Sequence, residues 1–262
     1  MGTGRSDYAF GDSEIASERL EMVARVFEPA SRALLRELGL PVVELAVDLG
    51  CGPGYTTALL AEVLRCRRTV GLDLSPRFIA QARRFASDRV EFHVHDVTVV
   101  PFPVGPADLL YGRLLLTHLQ GPLQVIARWA TELAPGGLLV VEEVESIATS
   151  SSVLERYLAI LDQMLRSQSN QLYIGSELEG APVPPSLAKR KSRILDFPVS
   201  PADAAAMFAM NLRTWCDHRF VRERVEKREI ERLERDLDSL RADPSPGVEA
   251  VWRLRQLVYQ RT

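Results

Sequence analysis

The sequence predicts an α/β fold in which a mostly parallel β-sheet is covered by helices on both faces. Between residues 44 and 146, short apolar runs alternate with segments whose apolar residues recur at helical spacing. The apolar runs are nearly continuous, which is typical of strands that are buried on both faces. With 262 residues, of which 46% are hydrophobic and 26% charged, the chain suits one large domain with an ample core.

A long helical segment is predicted before the sheet. Over residues 12–39, apolar side chains recur at helical spacing. Pro29 is expected to open a second helix within this segment, because the missing N–H of proline is not needed in a first turn. Gly39 is the expected stop. The apolar positions behind this interpretation are Ile15, Leu20, Val23, Val26 and Phe27.

Strands and helices alternate through the middle of the chain. The predicted strands are residues 44–50, 68–75, 90–97, 107–113 and 138–144. The predicted helices are residues 55–64, 76–86 and 123–133. The second of these helices begins with a proline, and the third is expected to close with the turn APGG. Alternation of this kind indicates βαβ units, whose strands run parallel.

The order of elements is less regular after residue 150. Helical spacing predicts a helix over residues 152–172, followed by a loop-rich stretch over residues 174–192. Residues 193–199 are expected to form a sixth strand, and residues 201–241 are expected to be helical. Residues 250–261 alternate well enough to predict a terminal strand.

Charge and cysteine content bear on partners and location. The formal net charge of −3 argues against a nucleic-acid partner, whose footprint is normally a basic surface. The charges of residues 220–240 alternate in sign, which favours a solvated face or a homodimer contact. The basic stretch KRKSR at residues 189–193 is expected to be a surface loop. The three cysteines form no CxxC pair, so we expect reduced thiols and a cytoplasmic location.

Neither a leader nor a membrane span is expected from the hydropathy. The first 22 residues lack the apolar stretch that follows a basic flank in a secretory signal. No apolar run approaches the roughly 20 residues that a membrane-spanning helix needs. We therefore expect no membrane partner.

The strongest motif is VDLGCGPGYT at residues 47–56. The first strand ends near Asp48, and a loop with Gly50, Gly52 and Gly54 leads into the next helix. Glycines suit a loop in which a ligand lies against bare backbone, where a Cβ atom would clash. The spacing is G-x-G-x-G, which differs from the G-x-G-x-x-G of dinucleotide binders.

Two acids follow the next two strands. Asp73 lies in the run GLDLS at the end of the second strand, where a carboxylate can accept both hydroxyls of a ribose. Asp96 lies in the run HVHDV at the end of the third strand, where a carboxylate can accept an adenine amine while the backbone of Asp96 and Val97 contacts the ring. Alternatively, Asp73 is a neighbour of the helix cap at Ser75, and Asp96 is a surface turn residue. Together these motifs suit an adenosine that carries a charged tail.

The ordered runs VDLGCGPG, GLDLS, HVHDV, ADLLYGRLLLTHL and LAPGGLLVVEEVE resemble the class I S-adenosylmethionine (SAM) dependent methyltransferases, especially the bacterial small-molecule enzymes. The resemblance covers about residues 44–146. It implies a Rossmann-like sheet of seven strands, mostly parallel, with an antiparallel last strand that matches residues 250–261. It also implies SAM as cofactor and S-adenosylhomocysteine (SAH) as product.

The resemblance assigns roles by position. Arg113 and Leu114 are expected to line the methionine portion of SAM, although Arg113 alternatively pairs with a surface acid. The segment YAFGDSE is similar to one that folds over SAM, so Tyr8 and Phe10 are candidate lid residues. The full set of predicted cofactor contacts is Tyr8, Asp48, Gly50, Gly52, Gly54, Asp73, Leu74, Asp96, Val97, Arg113 and Leu114.

The organisation that follows is one domain over residues 1–262. An N-terminal helical lid is expected over residues 1–43 and a SAM-binding core over residues 44–150. The remaining helices and strands fill residues 151–262, with a second helical lid at about 201–241. No metal is expected, because the stretch after the fourth strand is apolar where cation-dependent O-methyltransferases supply acidic ligands.

Catalytic and substrate residues are predicted more loosely. His118 is a candidate general base with a near-neutral pKa, or alternatively a residue that orients a loop. Glu143 and Glu145 share one face at the end of the fifth strand, and Glu142 takes the other. Glu143 is the candidate catalytic acid of this group. The candidate substrate contacts are Phe10, Glu145, Tyr173, Asn211 and Trp215, although packing explains the last three more simply.

The predicted function is methyl transfer from SAM to a small molecule. Aromatic residues near the expected pocket favour an aromatic or heteroaromatic secondary metabolite, including an indole-type compound. The stretch YGRLLL lacks the (Asp/Asn)-Pro-Pro-aromatic motif of nucleic-acid amino-methylating enzymes. Two alternatives stay open: a SAM-binding enzyme with another reaction, and a non-catalytic SAM-binding partner protein. The aromatic residues in question are Phe102, Tyr111, Tyr173, Phe208 and Trp215.

Overall fold

The computed structural model describes residues 12–244 and 247–262, which form a seven-stranded sheet of order β3-β2-β1-β4-β5-β7-β6. Strands β1 to β5 pair in parallel, and β7 lies antiparallel between β5 and β6. The predicted Rossmann-like sheet with its antiparallel last strand is confirmed. The strands are β1 Leu45–Leu49, β2 Arg68–Asp73, β3 Val90–Val94, β4 Ala107–Arg113, β5 Leu133–Thr149, β6 Leu187–Pro198 and β7 Ala250–Arg261.

Helices cover both faces of this sheet. Four of them begin at a serine whose hydroxyl accepts a backbone N–H of the first turn, which satisfies a donor that has no partner within the helix. Short 3₁₀ turns occupy Arg83–Phe85, Leu116–His118 and Ala130–Glu132. The α-helices are α1 Glu14–Glu37, α2 Tyr55–Leu64, α3 Pro76–Ala82, α4 Pro122–Trp129, α5 Ser152–Ser167, α6 Ile174–Gly180, α7 Pro201–Trp215, α8 Arg219–Arg224 and α9 Lys227–Ala242.

Helix α1 corrects one sequence prediction. It is continuous, and Pro29 lies inside it and does not open a second helix. An interior proline removes one helical hydrogen bond. Here that loss is offset by tertiary packing, because Phe27, Ala30 and Leu34 on either side of Pro29 are buried. The stop at Gly39 is confirmed, since this residue adopts a φ of +57° just after the helix.

The second half of the chain holds more regular structure than predicted. The stretch expected to be a loop over residues 174–192 contains α6 and the start of β6. The basic stretch at 189–193 therefore lies within a strand, where Lys191 and Arg193 pair with Glu37 of α1. Strand β5 is much longer than the predicted 138–144, because it pairs with β7 as far as Thr149. The helical region at 201–241 is divided into α7, α8 and α9.

A separate hydrophobic core lies outside the central sheet. Helices α5, α7, α8 and α9, which we call the cap, pack their apolar faces together. Strand ends β5 and β7 and one face of α1 complete this core. Leu114, at the carboxyl end of β4, packs against it, so the cap adjoins the edge of the sheet at which the predicted site lies. Within the described ranges, no helix combines the length and apolar character required to cross a membrane.

Candidate active site

The glycine loop joins β1 to α2 through three left-handed residues. Gly50, Gly52 and Gly54 have φ values of +65°, +53° and +90°. A Cβ on Gly50 would lie 2.7 Å from Leu115 Cδ1, and one on Gly54 would lie 2.9 Å from Ala82 Cβ. At Gly52 the nearest atom, Leu20 Cδ1, would be 3.5 Å away. At Gly50 and Gly54 a Cβ would thus meet protein side chains, whereas the face of Gly52 is open enough for one. The contact of all three glycines with a cofactor stays a prediction.

Asp73 ties this loop to the start of α3. Its Oδ2 accepts the Gly52 N–H at 2.8 Å, and its Oδ1 accepts the Ser75 N–H at 2.8 Å. Burial raises the pKa of this carboxyl group, and the two backbone donors oppose the rise. Each oxygen keeps capacity for a further donor, which is what the two hydroxyls of a ribose would supply. The neighbouring Leu74 is 55% exposed.

Asp96 lies two residues beyond β3, which ends at Val94 and not at the predicted residue 97. Its Oδ1 accepts the backbone N–H of Thr98 at 2.9 Å and the Thr98 hydroxyl at 2.7 Å. This is an Asx turn, which fixes the carboxylate at the carboxyl edge of the sheet. Val97 is buried, and its carbonyl accepts the Trp129 Nε1–H at 2.7 Å.

Asp48 lies beneath the glycine loop. It is 1% exposed, and its Oδ2 accepts the hydroxyls of Thr56 at 2.5 Å and Thr57 at 2.6 Å. Burial raises the pKa of this carboxyl group to about 6, against the two hydroxyl donors. These bonds hold the first turn of α2 against β1. The structure thus gives Asp48 a positioning role, and its direct contact with a cofactor stays a prediction.

The segment after β4 is held by a second acid. Leu114 adopts a φ of +53°, which is strained for a leucine, and its N–H donates to the Glu142 carbonyl at 2.8 Å. The N–H groups of Leu115 and Leu116 donate to Glu143 Oε1 at 2.8 and 2.7 Å. This geometry fixes Leu115 against Gly50.

The structure thus gives Glu143 a positioning role, and its catalytic role stays a prediction. It is 1% exposed, and its Oε1 is engaged by two backbone donors. Burial raises the pKa of its carboxyl group to about 8. The sequence correctly places Glu143 near the end of the fifth strand. It contains no local signal that the loop after β4 folds onto this residue. It also gives no indication that Leu115 faces Gly50.

The other predicted acids are also engaged. Glu145 forms a two-pronged ion pair with Arg255, with both distances at 2.9 Å, and its contact with a substrate stays a prediction. Glu142 is fully buried and accepts hydrogen bonds from Tyr111 and Gln256. Arg113 donates to the Ser31 hydroxyl at 3.1 Å and so ties β4 to α1.

His118 does not have the near-neutral pKa that was expected of a base. Burial, followed by the positive charge of Arg19, lowers the pKa of its imidazole to about 3. At neutral pH the ring is uncharged, and a base of that pKa takes a proton poorly. The alternative reading, a histidine that helps to order the loop after β4, suits this environment better. In the described part of the chain, no group of three or more His, Cys, Asp or Glu side chains is placed to share a metal ion.

The predicted substrate residues fall into two groups. Asn211 and Trp215 lie inside the cap, 9% and 1% exposed, beside the fully buried Tyr157, which sequence reasoning missed. Tyr173 begins α6 and packs against the cap core, and burial raises the pKa of its phenol. Tyr8 and Phe10 lie outside the described residues.

Helix α1 contacts both halves of the site. Just before it, Asp12 accepts the Ser75 hydroxyl at 2.7 Å, close to Asp73. Leu20 faces Gly52 of the cofactor loop. Further along, Arg25 pairs with Asp203 of α7 at 3.8 Å, so the same helix contacts the cap.

Comparisons with known proteins agree with this geometry. Residues 47–141 match the family model described as a methyltransferase domain. A trans-aconitate 2-methyltransferase of Methylobacterium nodulans is 35% identical over 144 residues, which is 55% of each chain. The chain thus spans about half the length of the curated relatives it matches.

Solved structures extend the likeness of the fold to most of the chain. A Bacillus halodurans protein, 18% identical, has a TM-score of 0.55 and covers 88% of this chain and 98% of its own. Coclaurine N-methyltransferase bound to N-methylheliamine and SAH, 15% identical, also has a TM-score of 0.55 and covers 89% of this chain and 72% of its own. Residues 47–141 thus match a methyltransferase domain, and the fold of most of the chain is similar to that of SAM-dependent methyltransferases of known structure.

Proposed function

We propose that the protein transfers the methyl group of SAM to a small organic acceptor. One observation carries this proposal: the carboxylate of Asp73 bridges the glycine loop and α3 while each of its oxygens can accept another donor. An adenosine ribose offers two such donors. The exposed Leu74 beside it supplies an apolar surface on which a purine can lie.

The residues present fit SAM at four places. The open face of Gly52 leaves main chain for its amino-acid end, and Asp73 would hold the ribose. Leu74 and Asp96 would flank the adenine, the carboxylate reaching its amine through Oδ2. When bound there, SAM supplies an electrophilic methyl group. The protein contributes position, because Asp48 and Glu143 hold the two loops from below.

The acidic side chains near the site are already held by hydrogen bonds or ion pairs, and this bears on how the protein contributes to catalysis. Glu142, Glu143 and Glu145 are each bound to protein donors, and His118 is a weak base. Methyl transfer to an acceptor that is already deprotonated, or that attacks through a lone pair, needs no base. We therefore infer that proximity, orientation and exclusion of water account for most of the catalysis.

Two acceptor classes have support. The aromatic side chains of the cap favour an aromatic or heteroaromatic metabolite, such as an indole-type compound of secondary metabolism. The name of the relatives, trans-aconitate 2-methyltransferase, favours a small organic acid. A mass-spectrometric screen of both classes with purified protein and SAM, read as a gain of one methyl group, discriminates between them.

We also propose a cytoplasmic protein without a nucleic-acid or membrane partner. Support comes from the free thiols of Cys51, Cys66 and Cys216 and from the net charge of −3. Homodimerisation through the charged helix α9 stays a prediction, and sedimentation of the purified protein tests it.

The experiment for the cofactor compares two aspartates of similar geometry. Asp73 accepts two backbone N–H groups at the carboxyl edge of the sheet. Asp108 accepts those of Glu44 and Leu45, at 2.8 and 3.1 Å, at the opposite edge. Asp73→Asn should weaken SAM binding by roughly 100-fold, because the charge is lost and one of the two acceptor oxygens is replaced by an NH₂ donor. Asp108→Asn should leave the affinity within about threefold, since its two hydrogen bonds lie at the other edge. Calorimetry with SAM and SAH measures both, and equal affinities of Asp73→Asn and wild type would overturn the proposal.

A further inference from the structure

A row of polar side chains crosses the sheet beneath α1. Arg113 of β4 lies opposite Glu142 of β5, which lies opposite Gln256 of β7. Gln256 in turn lies opposite Arg193 of β6. Residues directly opposite each other on neighbouring strands share a face of the sheet, so these four side chains, which we call the polar row, form one continuous line. Glu142 and Gln256 are both 0% exposed.

Gln256 joins three elements through its side-chain amide. Its Nε2 donates to Glu142 Oε1 at 2.5 Å and to the Ala30 carbonyl of α1 at 3.4 Å. Its Oε1 accepts the Arg193 Nε–H at 2.7 Å. One buried amide thus connects β5, β6 and α1.

The two arginines of the polar row hold α1 at further points. Arg113 donates to the Ser31 hydroxyl at 3.1 Å, and Arg193 Nη1 donates to Glu37 Oε2 at 2.7 Å. All these contacts lie just after Pro29, where the helix lacks one of its own hydrogen bonds. The part of α1 that follows the proline is therefore fixed to the sheet by side chains from three strands.

Contacts of this kind fix the position of a helix more narrowly than apolar packing does. Burying polar groups costs free energy unless their hydrogen bonds are made, so α1 satisfies the polar row in one register along the sheet only. The earlier part of the helix is positioned as a consequence. Leu20, about 15 Å before Ala30 along the helix, faces Gly52, and Asp12 accepts the Ser75 hydroxyl.

We propose that Gln256 is a positioning residue for cofactor binding. It fixes the register of α1 on the sheet, and thereby the contact of this helix with the cofactor loop. The role in cofactor binding rests on the function proposed above. The anchoring of α1 does not, because it follows from the hydrogen bonds of the chain alone.

The same two strands supply a matched control. Gln260 of β7 accepts the Arg190 Nε–H of β6 at 2.8 Å and donates to the Gly136 carbonyl of β5 at 2.9 Å. This is the same pair of residue types on the same strands. Its partners belong to the sheet and not to α1, so it reports what loss of such a pair does in general.

The test combines calorimetry with SAH and hydrogen exchange read by mass spectrometry. Gln256→Met keeps the length of the side chain and removes the amide. The affinity for SAH should fall about tenfold, and the amides of residues 14–28 should exchange about tenfold faster relative to those of α2. Gln260→Met should change neither quantity.

A second pair of variants covers the case in which Gln256→Met does not fold. The Arg193 side chain is 28% exposed, so its loss disturbs the core less. Arg193→Met removes one partner of Gln256 and the pair with Glu37, and it should weaken SAH binding by about threefold. Arg190→Met, its control, should leave the affinity unchanged. Thermal unfolding verifies that each variant is folded at the temperature of the measurements.

The outcomes separate this inference from the proposed function. Faster exchange in α1 with an unchanged affinity for SAH would overturn the positioning role of Gln256. Unchanged exchange in α1 would overturn the anchoring itself. A wild-type protein without any affinity for SAH would overturn the proposed function and the cofactor part of this inference, whereas faster exchange in Gln256→Met would still support the anchoring of α1.

Discussion

The polar groups under the cofactor loop and those inside the cap differ in the partners that hold them. Four carboxyl groups at the carboxyl edge of the sheet each accept two hydrogen bonds from backbone N–H groups or hydroxyls; they are Asp48, Asp73, Asp96 and Glu143. In the cap, the buried side chains of Tyr157, Asn211 and Trp215 have one another and the stacked ring of Phe208 as neighbours. Directed hydrogen bonds thus order the cofactor side, whereas the packing of side chains orders the cap.

The largest effect expected on the cofactor side is the pH dependence that Glu143 confers. Its pKa in the folded protein is about 8, above the ordinary value of 4.5, so folding takes up a proton between these values. The stabilisation is fully present below pH 4.5 and is lost as the pH rises through 8, a change of up to roughly 5 kcal/mol. Glu143→Gln keeps the acceptor oxygen and removes the titration.

Chemical denaturation of both proteins at pH 5 and pH 8 measures this. The variant should gain stability relative to wild type as the pH rises, because only the wild type must release a proton. If the free energies of unfolding of the two proteins change in parallel with pH, Glu143 does not have a raised pKa in the folded protein.

Substitution of two glycines in the cofactor loop should change the free energy of unfolding by less than the titration of Glu143 does. Gly54→Ala places a Cβ 2.9 Å from Ala82 Cβ and 3.1 Å from the Ala82 backbone, at a φ of +90°. We expect a loss of roughly 3 kcal/mol in the free energy of unfolding. Gly52→Ala meets only Leu20 at 3.5 Å and should lose about 1 kcal/mol.

For SAM affinity, Gly52→Ala should have the larger effect of the two variants, which is the reverse of their order in stability. Because Gly52 has the open face, Gly52→Ala should reduce SAM affinity more than its effect on stability suggests. Calorimetry on both variants, each checked for folding by denaturation, provides the measurement. If Gly52→Ala binds SAM as the wild type does, the ligand does not lie against that residue.

The smallest effect comes from two tyrosines that are both fully buried. Tyr111 donates to the carboxyl group of Glu142, whereas the Tyr157 hydroxyl has the uncharged side chains of Trp215 and Asn211 beside it. Tyr111→Phe should destabilise the ligand-free protein by about 1–2 kcal/mol because a buried acceptor loses its donor. Tyr157→Phe should destabilise it by less than about 1 kcal/mol, because a hydrogen bond between uncharged groups contributes less. Equal losses of stability, measured by thermal unfolding of both variants, would remove this difference between the two regions.

The same two regions differ in how far the sequence could predict them. From β1 to β4 the local signals agreed with the tertiary structure: α2 spans residues 55–64 and β4 spans residues 107–113 as predicted. Each strand there is short, apolar and followed by a turn signal. The exception is β3, which stops at Val94 because the Asx turn of Asp96 turns the chain away from the sheet.

Beyond β4 the structure depends on partners distant in sequence. The basic residues of β6 suggested a loop, but their strand is fixed by antiparallel pairing with β7 and by Glu37 of α1. The roles of Glu143 and Glu145 could not be predicted for the same reason, since Leu115, Leu116 and Arg255 reach them only in the folded chain. The sequence predicts Asn211 and Trp215 as substrate residues. Tyr157, which lies beside Trp215 in the fold, gives no such local signal.

Helix α1 has a consequence for how ligands bind. At one end it contacts the cofactor loop through Leu20, and further along it contacts the cap through Arg25. A ligand that draws α1 inward on one side changes the free energy of binding on the other, and such thermodynamic coupling is reciprocal. Cofactor and acceptor are therefore not expected to bind independently, and a compound wedged under α1 would weaken the affinity for both.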